Sequence, residues 1–257
     1  MVGMLPVPSA FARLHRLAVI SALIVFGGLT AAAIGIEPAD SASVRVLGAA
    51  APASPTCTPE DCLVEARVTG FGARIGTARK PFRAPFPGRI VAWSIKLGKP
   101  SKRDADCLSN GCRVGDSVFE GFGGQAKARL VILKPVVKMI KQGRPVYRLV
   151  ARSPVERLTP YFSTTTTFTL ERPLKVPKGA VAALAIPTWA PVWSGVTGSV
   201  WRASRVKSEK RGGCLTGGGA NIEAGSPQVR LGSKRRYGCT YTSRLLYSAT
   251  LVRRPSS

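Results

Sequence analysis

Between Cys62 and the C-terminus, apolar and polar residues alternate in one short segment after another. A period of two is the mark of strands that turn one face to a core, not of helices. Val64, Ala66 and Val68 alternate with Glu65, Arg67 and Thr69. From Arg89 to Leu97, the residues Val91, Trp93, Ile95 and Leu97 share one face, which marks Trp93 as core. The same reading predicts strands at Val118–Phe122, Ala126–Leu133, Val146–Ala151, Thr164–Leu170 and Arg244–Val252. Gln142-Gly143-Arg144-Pro145 predicts a hairpin turn ahead of Val146. Phe168 to Trp193 reads as strand, turn, strand, because Val176-Pro177-Lys178-Gly179 has Pro and Gly where a type I turn prefers them. Beyond that turn, Ala180–Ile186 is an apolar run bounded by Gly179 and Pro187 and too short for a helix. Such a run suits a strand covered on both faces.

Eight or nine such strands without an internal helix predict an all-β fold. The architecture expected is an antiparallel β-sandwich over residues 62–257, in jelly-roll form. The N-terminus breaks the pattern. Arg13, His15 and Arg16 precede an uncharged stretch from Leu17 to Ile36, followed by Glu37, Asp40 and small residues through Ser43. A positive flank, an apolar centre and a small-residue exit make residues 1–43 a secretory signal peptide, with cleavage expected after Ala33, after Ser43 or near Ala49-Ala50. The same stretch as a helix is about 30 Å long at ~1.5 Å per residue, enough for an uncleaved membrane anchor. In either case the remainder is exported, to the cell surface or beyond. Residues 44–61 are rich in Ala, Pro, Ser and Thr and read as a flexible tether.

Charge narrows the choice of partners. The chain carries 38 Lys and Arg against 13 Asp and Glu, a net +25 over 257 residues. In the export segment Arg13 and Arg16 cancel Glu37 and Asp40, so the excess belongs to the exported part. It favours anionic partners, such as anionic polymers of the cell envelope, lipid head groups or nucleic acid, and carbohydrate is a further candidate partner. Export argues against nucleic acid. Two local basic clusters stand out as anion-binding candidates: Arg205, Lys207, Lys210 and Arg211, and then Lys234, Arg235 and Arg236.

Six cysteines, Cys57, Cys62, Cys107, Cys112, Cys214 and Cys239, all follow the export segment. An even count in an exported chain points to disulfides, most simply between neighbours: Cys57 with Cys62, Cys107 with Cys112, Cys214 with Cys239. The rival is a zinc site on the paired Cys57/Cys62 and Cys107/Cys112 spacings, which an oxidising compartment disfavours. A calcium ion near Asp104, Asp106 and Asp116 is the one cofactor for which the sequence leaves room, although Leu108 breaks an EF-hand pattern. No cofactor is otherwise expected.

Catalytic chemistry finds little to stand on. The one histidine, His15, lies in the export segment, which removes histidine-based triads and metal sites from the exported part. Gly70-Phe71-Gly72-Ala73-Arg74-Ile75-Gly76 follows a strand as a dinucleotide loop would, yet Pro81, Pro85 and Pro87 leave no helix to receive a phosphate. Its glycines read as turn residues. Glu65, Asp116, Glu120, Glu156, Glu171, Glu209 and Glu223 could in principle supply a glycosidase pair, but no spacing singles out two of them. Trp189, Trp193 and Trp201 sit in or beside a Pro- and Gly-rich stretch. They serve either as a platform for a sugar ring or as a cap over the core.

Pro87-Gly88-Arg89-Ile90-Val91-Ala92-Trp93-Ser94, Val181 to Trp189, Trp201-Arg202-Ala203-Ser204, Tyr237-Gly238-Cys239 and Arg244-Leu245-Leu246-Tyr247 carry one further likeness. Together they resemble a group of uncharacterised exported proteins of Actinobacteria. That resemblance implies a secreted β-sandwich and assigns no functional residue. The expectation is therefore a non-enzymatic, basic adhesion module. A carboxylate-based carbohydrate-active enzyme and a purely structural surface protein are the alternatives.

Overall fold

The computed structural model describes residues 43–57, 62–100, 124–141, 145–205, 214 and 227–253. Val44–Leu47 forms β1, Glu65–Ile75 β2, Ala78–Arg79 β3, Gly88–Lys96 β4 and Lys127–Pro135 β5. Val146–Arg152 forms β6, Glu156–Arg157 β7, Thr165–Val176 β8, Val181–Ala190 β9, Trp193–Ser194 β10 and Val200–Ala203 β11. Lys234–Arg236 is β12, Cys239–Tyr241 β13, Arg244–Leu245 β14 and Tyr247–Arg253 β15. Among the described residues the one α-helix is α1, Val137–Lys141, and a single 3-10 turn covers Thr159–Tyr161. No helix among them is long and apolar enough to cross a membrane. The export segment, the strand expected at Val118–Phe122, Cys107, Cys112 and the acidic residues considered for calcium lie outside the described residues.

Every strand pair is antiparallel, so the chain is all-β as expected. A small sheet has the order β1-β15-β4-β8, and a large one the order β12-β6-β5-β9-β2-β11-β13, with β3 beside β2 and β7 beside β5. β10 and β14 form a separate pair. Ile90, Trp93, Ile95, Ala249 and Leu251 of the small sheet are buried, as are Val68, Leu130, Ile132, Leu184 and Trp201 of the large one. Tyr247 ties the layers together: from β15 its hydroxyl donates to the carbonyls of Gly70 on β2 and Ala182 on β9. Its ring stacks on Phe82, centroids 4.3 Å apart.

The large sheet is covered on both sides, which accounts for the continuous apolar run of β9. Gln228 and Tyr237, on either side of β12, lie against its other face, where Gln228 accepts a hydrogen bond from Tyr237 and donates to the carbonyls of Tyr147 and Ser233. The β5–β6 hairpin is present, with α1 inside its connection. Two disulfides join Cys57 to Cys62 and Cys214 to Cys239. Because Cys57 and Cys62 are bonded to each other, they are not thiolate ligands.

Four expectations need correction. The turn at Val176–Gly179 exists, with the Ala180 amide donating to the Pro177 carbonyl, but it joins no hairpin. β8 pairs with β4 and β9 with β2 and β5, so the turn carries the chain from one sheet to the other. Pro187 does not end its strand, because the ladder between β9 and β2 shifts register beside it and requires no amide there. Arg67 takes up the opposing irregularity with φ 47°.

Gly70 and Gly72 lie inside β2 instead of in a turn. A Cβ on Gly70 would sit 2.5 Å from the Trp201 ring, and one on Gly72 would sit 2.9 Å from Phe82. The glycines make room for aromatic rings in the core. Lastly, residues 44–57 are not a loose tether. β1 pairs with β15, the Thr56 amide donates to the Trp193 carbonyl, and Lys96 and Arg244 donate to the carbonyls of Ala53 and Ala51. Apolar content understated this segment because backbone hydrogen bonds hold it.

Candidate anion-binding site

The tryptophan stretch is mostly strand. Trp189 on β9 and Trp201 on β11 are fully buried. The Trp189 ring lies 5.7 Å from that of Phe162 and its Nε1–H donates to the Gly124 carbonyl. Trp201 stacks on Tyr241 at 4.9 Å and donates to Ser243 Oγ at 2.8 Å. These two rings belong to the core and offer no platform. Trp193 on β10 is half-buried beside Gly195.

The basic clusters divide. Arg205 is buried and committed: its Nη2 meets Glu65 Oε2 at 3.2 Å and the Ala66 carbonyl at 3.1 Å, and its Nη1 lies 3.4 Å from the Tyr241 hydroxyl. It serves as an internal brace, not as a surface for anions. Burial holds the Glu65 carboxyl above its ordinary range, and the charge of Arg205 and its hydrogen bond act in the opposite direction. Lys207, Lys210 and Arg211 lie outside the described residues. Lys234 and Arg236 are exposed and Arg235 half-buried on β12, which pairs with β6 at the edge of the large sheet. Cations on an edge strand also discourage pairing with a second chain.

A different group of cations gathers around a cleft of about 580 Å³ that crosses the large sheet near the start of β9. Such a volume falls in the range of small-ligand pockets, ~300–1,000 Å³. Phe71 from β2, Tyr147 from β6 and Val181 from β9 line it, with Val137 and Ile140 from α1 as an apolar wall. Lys80 and Arg83 enter from the segment after β3, and Arg202 from β11. Among the described residues no carboxylate lines it.

Each polar group there is positioned by the fold. Lys80 adopts φ 54°, a left-handed backbone that costs a non-glycine residue roughly 1–2 kcal/mol. Its amide donates to the Ala73 carbonyl and its own carbonyl accepts from the Arg83 amide, both at 2.9 Å. Arg83 bridges to Val181 across the backbone, and its guanidinium passes over Gly179, where a Cβ would stand 3.2 Å from Nη2. Arg202 Nη1 donates to the Tyr237 carbonyl at 3.2 Å, which fixes its planar fork.

Behind the cations, Tyr147 packs edge to face on Phe71 and on Tyr237, and Phe71 and Tyr237 are tilted against each other, with centroids 5.2 to 5.4 Å apart. Burial raises the Tyr147 phenol above its ordinary value, against the pull of Arg202 and then Arg83. Arg83 and Arg202 border the same cavity as the Tyr147 ring. That arrangement can hold an oxyanion against an aromatic base. It supplies no general base of ordinary strength, since the phenol stays protonated at neutral pH.

Sequence reasoning missed this cleft because Lys80 and Arg83 meet Arg202, more than a hundred residues later, only in the folded chain. The one available signal was Phe71, a large ring between two glycines, whose neighbours make space for rings on the opposite face. Comparison with known proteins leaves the geometry to speak for itself: no protein-family model, no curated protein and no solved structure matches the chain.

Proposed function

We propose that this chain is an exported, disulfide-stapled β-sandwich of jelly-roll form that binds anionic polymers of the cell envelope without catalysing a reaction. Strand order supports the jelly-roll reading. Taking β1, β2, β4, β5, β6, β8, β9 and β15 as the eight strands in chain order, the first, eighth, third and sixth are neighbours in one sheet, and the second, seventh, fourth and fifth in the other. Two interlocked Greek keys have that order. Bonded cysteines support an oxidising destination.

The observation that carries the binding reading is the imbalance of charge around the cleft. Among the described residues, Lys80, Arg83 and Arg202 line the cleft without a carboxylate, and the one ion pair, Glu65–Arg205, lies elsewhere. Cations left unneutralised in the folded chain attract polyanions. Retention of the purified full-length chain on isolated cell walls is expected to fall steeply between low salt and ~0.5 M salt, where screening becomes short-ranged. Retention that ignores salt, or none at low salt, would refute the reading.

A further inference from the structure

We propose that the cleft between α1 and the segment Lys80–Arg83 is a site for a single phosphorylated sugar unit, its phosphate held by Arg83 and Arg202 and its ring resting on Phe71 and Tyr147. The inference deepens the reading above by naming a ligand class, and it rests on that reading's charge imbalance together with the geometry of the cleft. Three arguments lead to it.

The first is charge balance. Three cations face one cavity with no acid among the described residues that line it. A carboxylate sugar would answer one of them, whereas a phosphate monoester carries nearly two charges at neutral pH. Two planar guanidinium forks suit the several oxygens of a phosphate better than point charges do.

The second is preorganisation. Arg202 is held by its bond to the Tyr237 carbonyl. Arg83 is anchored by the Lys80 carbonyl and the bridge to Val181. Between them Lys80 keeps a left-handed backbone that an ordinary turn would assign to glycine. A strained non-glycine residue beside a pocket is a frequent companion of function, because the site needs that side chain in that place.

The third is shape. Phe71 is almost wholly buried and Tyr147 half-buried, so the cleft has an aromatic base instead of a flat exposed platform. Val137 and Ile140 close one side and Gly179 keeps the approach to Arg83 open. The volume, about 580 Å³, admits a monosaccharide with its phosphate and excludes a bulky folded partner.

The test is calorimetric titration of the purified full-length chain at low salt with glucose 1-phosphate, inorganic phosphate, glucose and galacturonate. Saturable binding of glucose 1-phosphate at one site per chain is expected, with each of the other three at least tenfold weaker. The exposed Arg83→Gln should weaken it at least tenfold, and Arg83→Gln with Arg202→Gln at least a hundredfold. A control pair on the sheet edge, Lys234→Gln with Arg236→Gln, should leave it unchanged. Because Arg83 is exposed, its single variant folds and keeps the test valid should the double variant not.

Equal binding of inorganic phosphate would remove the sugar from the proposal, and equal binding of galacturonate would remove the phosphate. Binding at many sites per chain, or undiminished binding by Arg83→Gln, would overturn it. Salt-sensitive wall retention with no titratable site would sink the cleft and spare the adhesion reading. A titratable site with salt-independent wall retention would do the reverse.

Discussion

The two sheets of this sandwich present opposite chemistry to their surroundings, although both belong to one chain of net charge +25. On the large sheet, Lys80, Arg83 and Arg202 surround the aromatic cleft and Lys234 and Arg236 line the edge. On the outer face of the small sheet, the cross-strand rows Ser248–Ser94–Thr167 and Val46–Thr250–Ala92–Thr169 contain no charged side chain. Ser94 and Thr167 share a hydrogen bond between their hydroxyls at 2.7 Å. Charge is confined to the two ends, at the exposed Glu171 and Arg172 of β8 and the row Val252–Arg89–Lys175, and at Lys96.

The difference teaches that a large net charge is not a uniform coat. Where strands pair side by side, like charges directly opposite one another repel and destabilise the sheet. The small sheet accordingly fills its ladder with hydroxyls and methyls, and cations collect on turns, edges and the ends of strands. Lys96 illustrates the exception, since it turns its ammonium to the Ala53 carbonyl and Ser54 Oγ and so satisfies itself against residues 53–54.

The largest effect expected within this comparison comes from beneath the faces. Trp201→Ala should cost about 3–5 kcal/mol in urea unfolding, because a buried aromatic, its stacking and its bond to Ser243 all go together. A loss under ~1 kcal/mol would mean that the core under the large sheet is looser than its burial implies. Gly70→Ala should destabilise by about 1–3 kcal/mol through overpacking against the same ring.

Next in size is the link between the layers. Tyr247→Phe keeps the ring stacked on Phe82 but removes a donor to the Gly70 and Ala182 carbonyls, so about 0.5–1.5 kcal/mol should be lost. Unchanged stability would show that the two sheets hold together by apolar contact alone.

Glu65 sharpens the comparison from within the large sheet, where it is the carboxylate paired with a cation. Burial raises its pKa above the ordinary 4.5 in the folded chain. The folded chain then holds the proton more tightly than the unfolded chain does, so this contribution of Glu65 is fully present below 4.5 and is lost as pH rises through the folded value. Glu65→Gln should flatten the fall in stability over that window, as measured by unfolding at a series of pH values. An unaltered slope would mean that the attraction of Arg205 cancels the burial.

Smallest of all should be the effect of charging the neutral face. Thr169→Lys places a cation on an exposed position facing Ala92 and should change stability by at most ~0.5 kcal/mol. It should leave glucose 1-phosphate titration untouched. A gain in that titration would erase the contrast between the faces.

Legibility in the sequence followed the range of the interactions. Trp93 in the core and the strands around Arg89–Leu97, Lys127–Leu133 and Val146–Ala151 showed themselves through period-two alternation, which each residue and its near neighbours determine. β1 escaped notice because four residues, three of them exposed, become a strand only when β15 arrives from more than two hundred residues away. Gly70 and Gly72 looked like turn residues until Trp201 and Phe82 were known to occupy the space beside them. Arg205 looked like a surface cation until Glu65, 140 positions earlier, came within reach.

By itself, then, the chain's alternation of residues determined the class of fold, most of the strands and the excess of positive charge, because these depend on local periodicity and on counting. Tertiary structure decided which cations meet. Lys80, Arg83, Tyr147 and Arg202 share a cleft only because the order β6-β5-β9-β2-β11 lays distant segments side by side. Strand order is settled by the packing of whole sheets, and no local pattern encodes it.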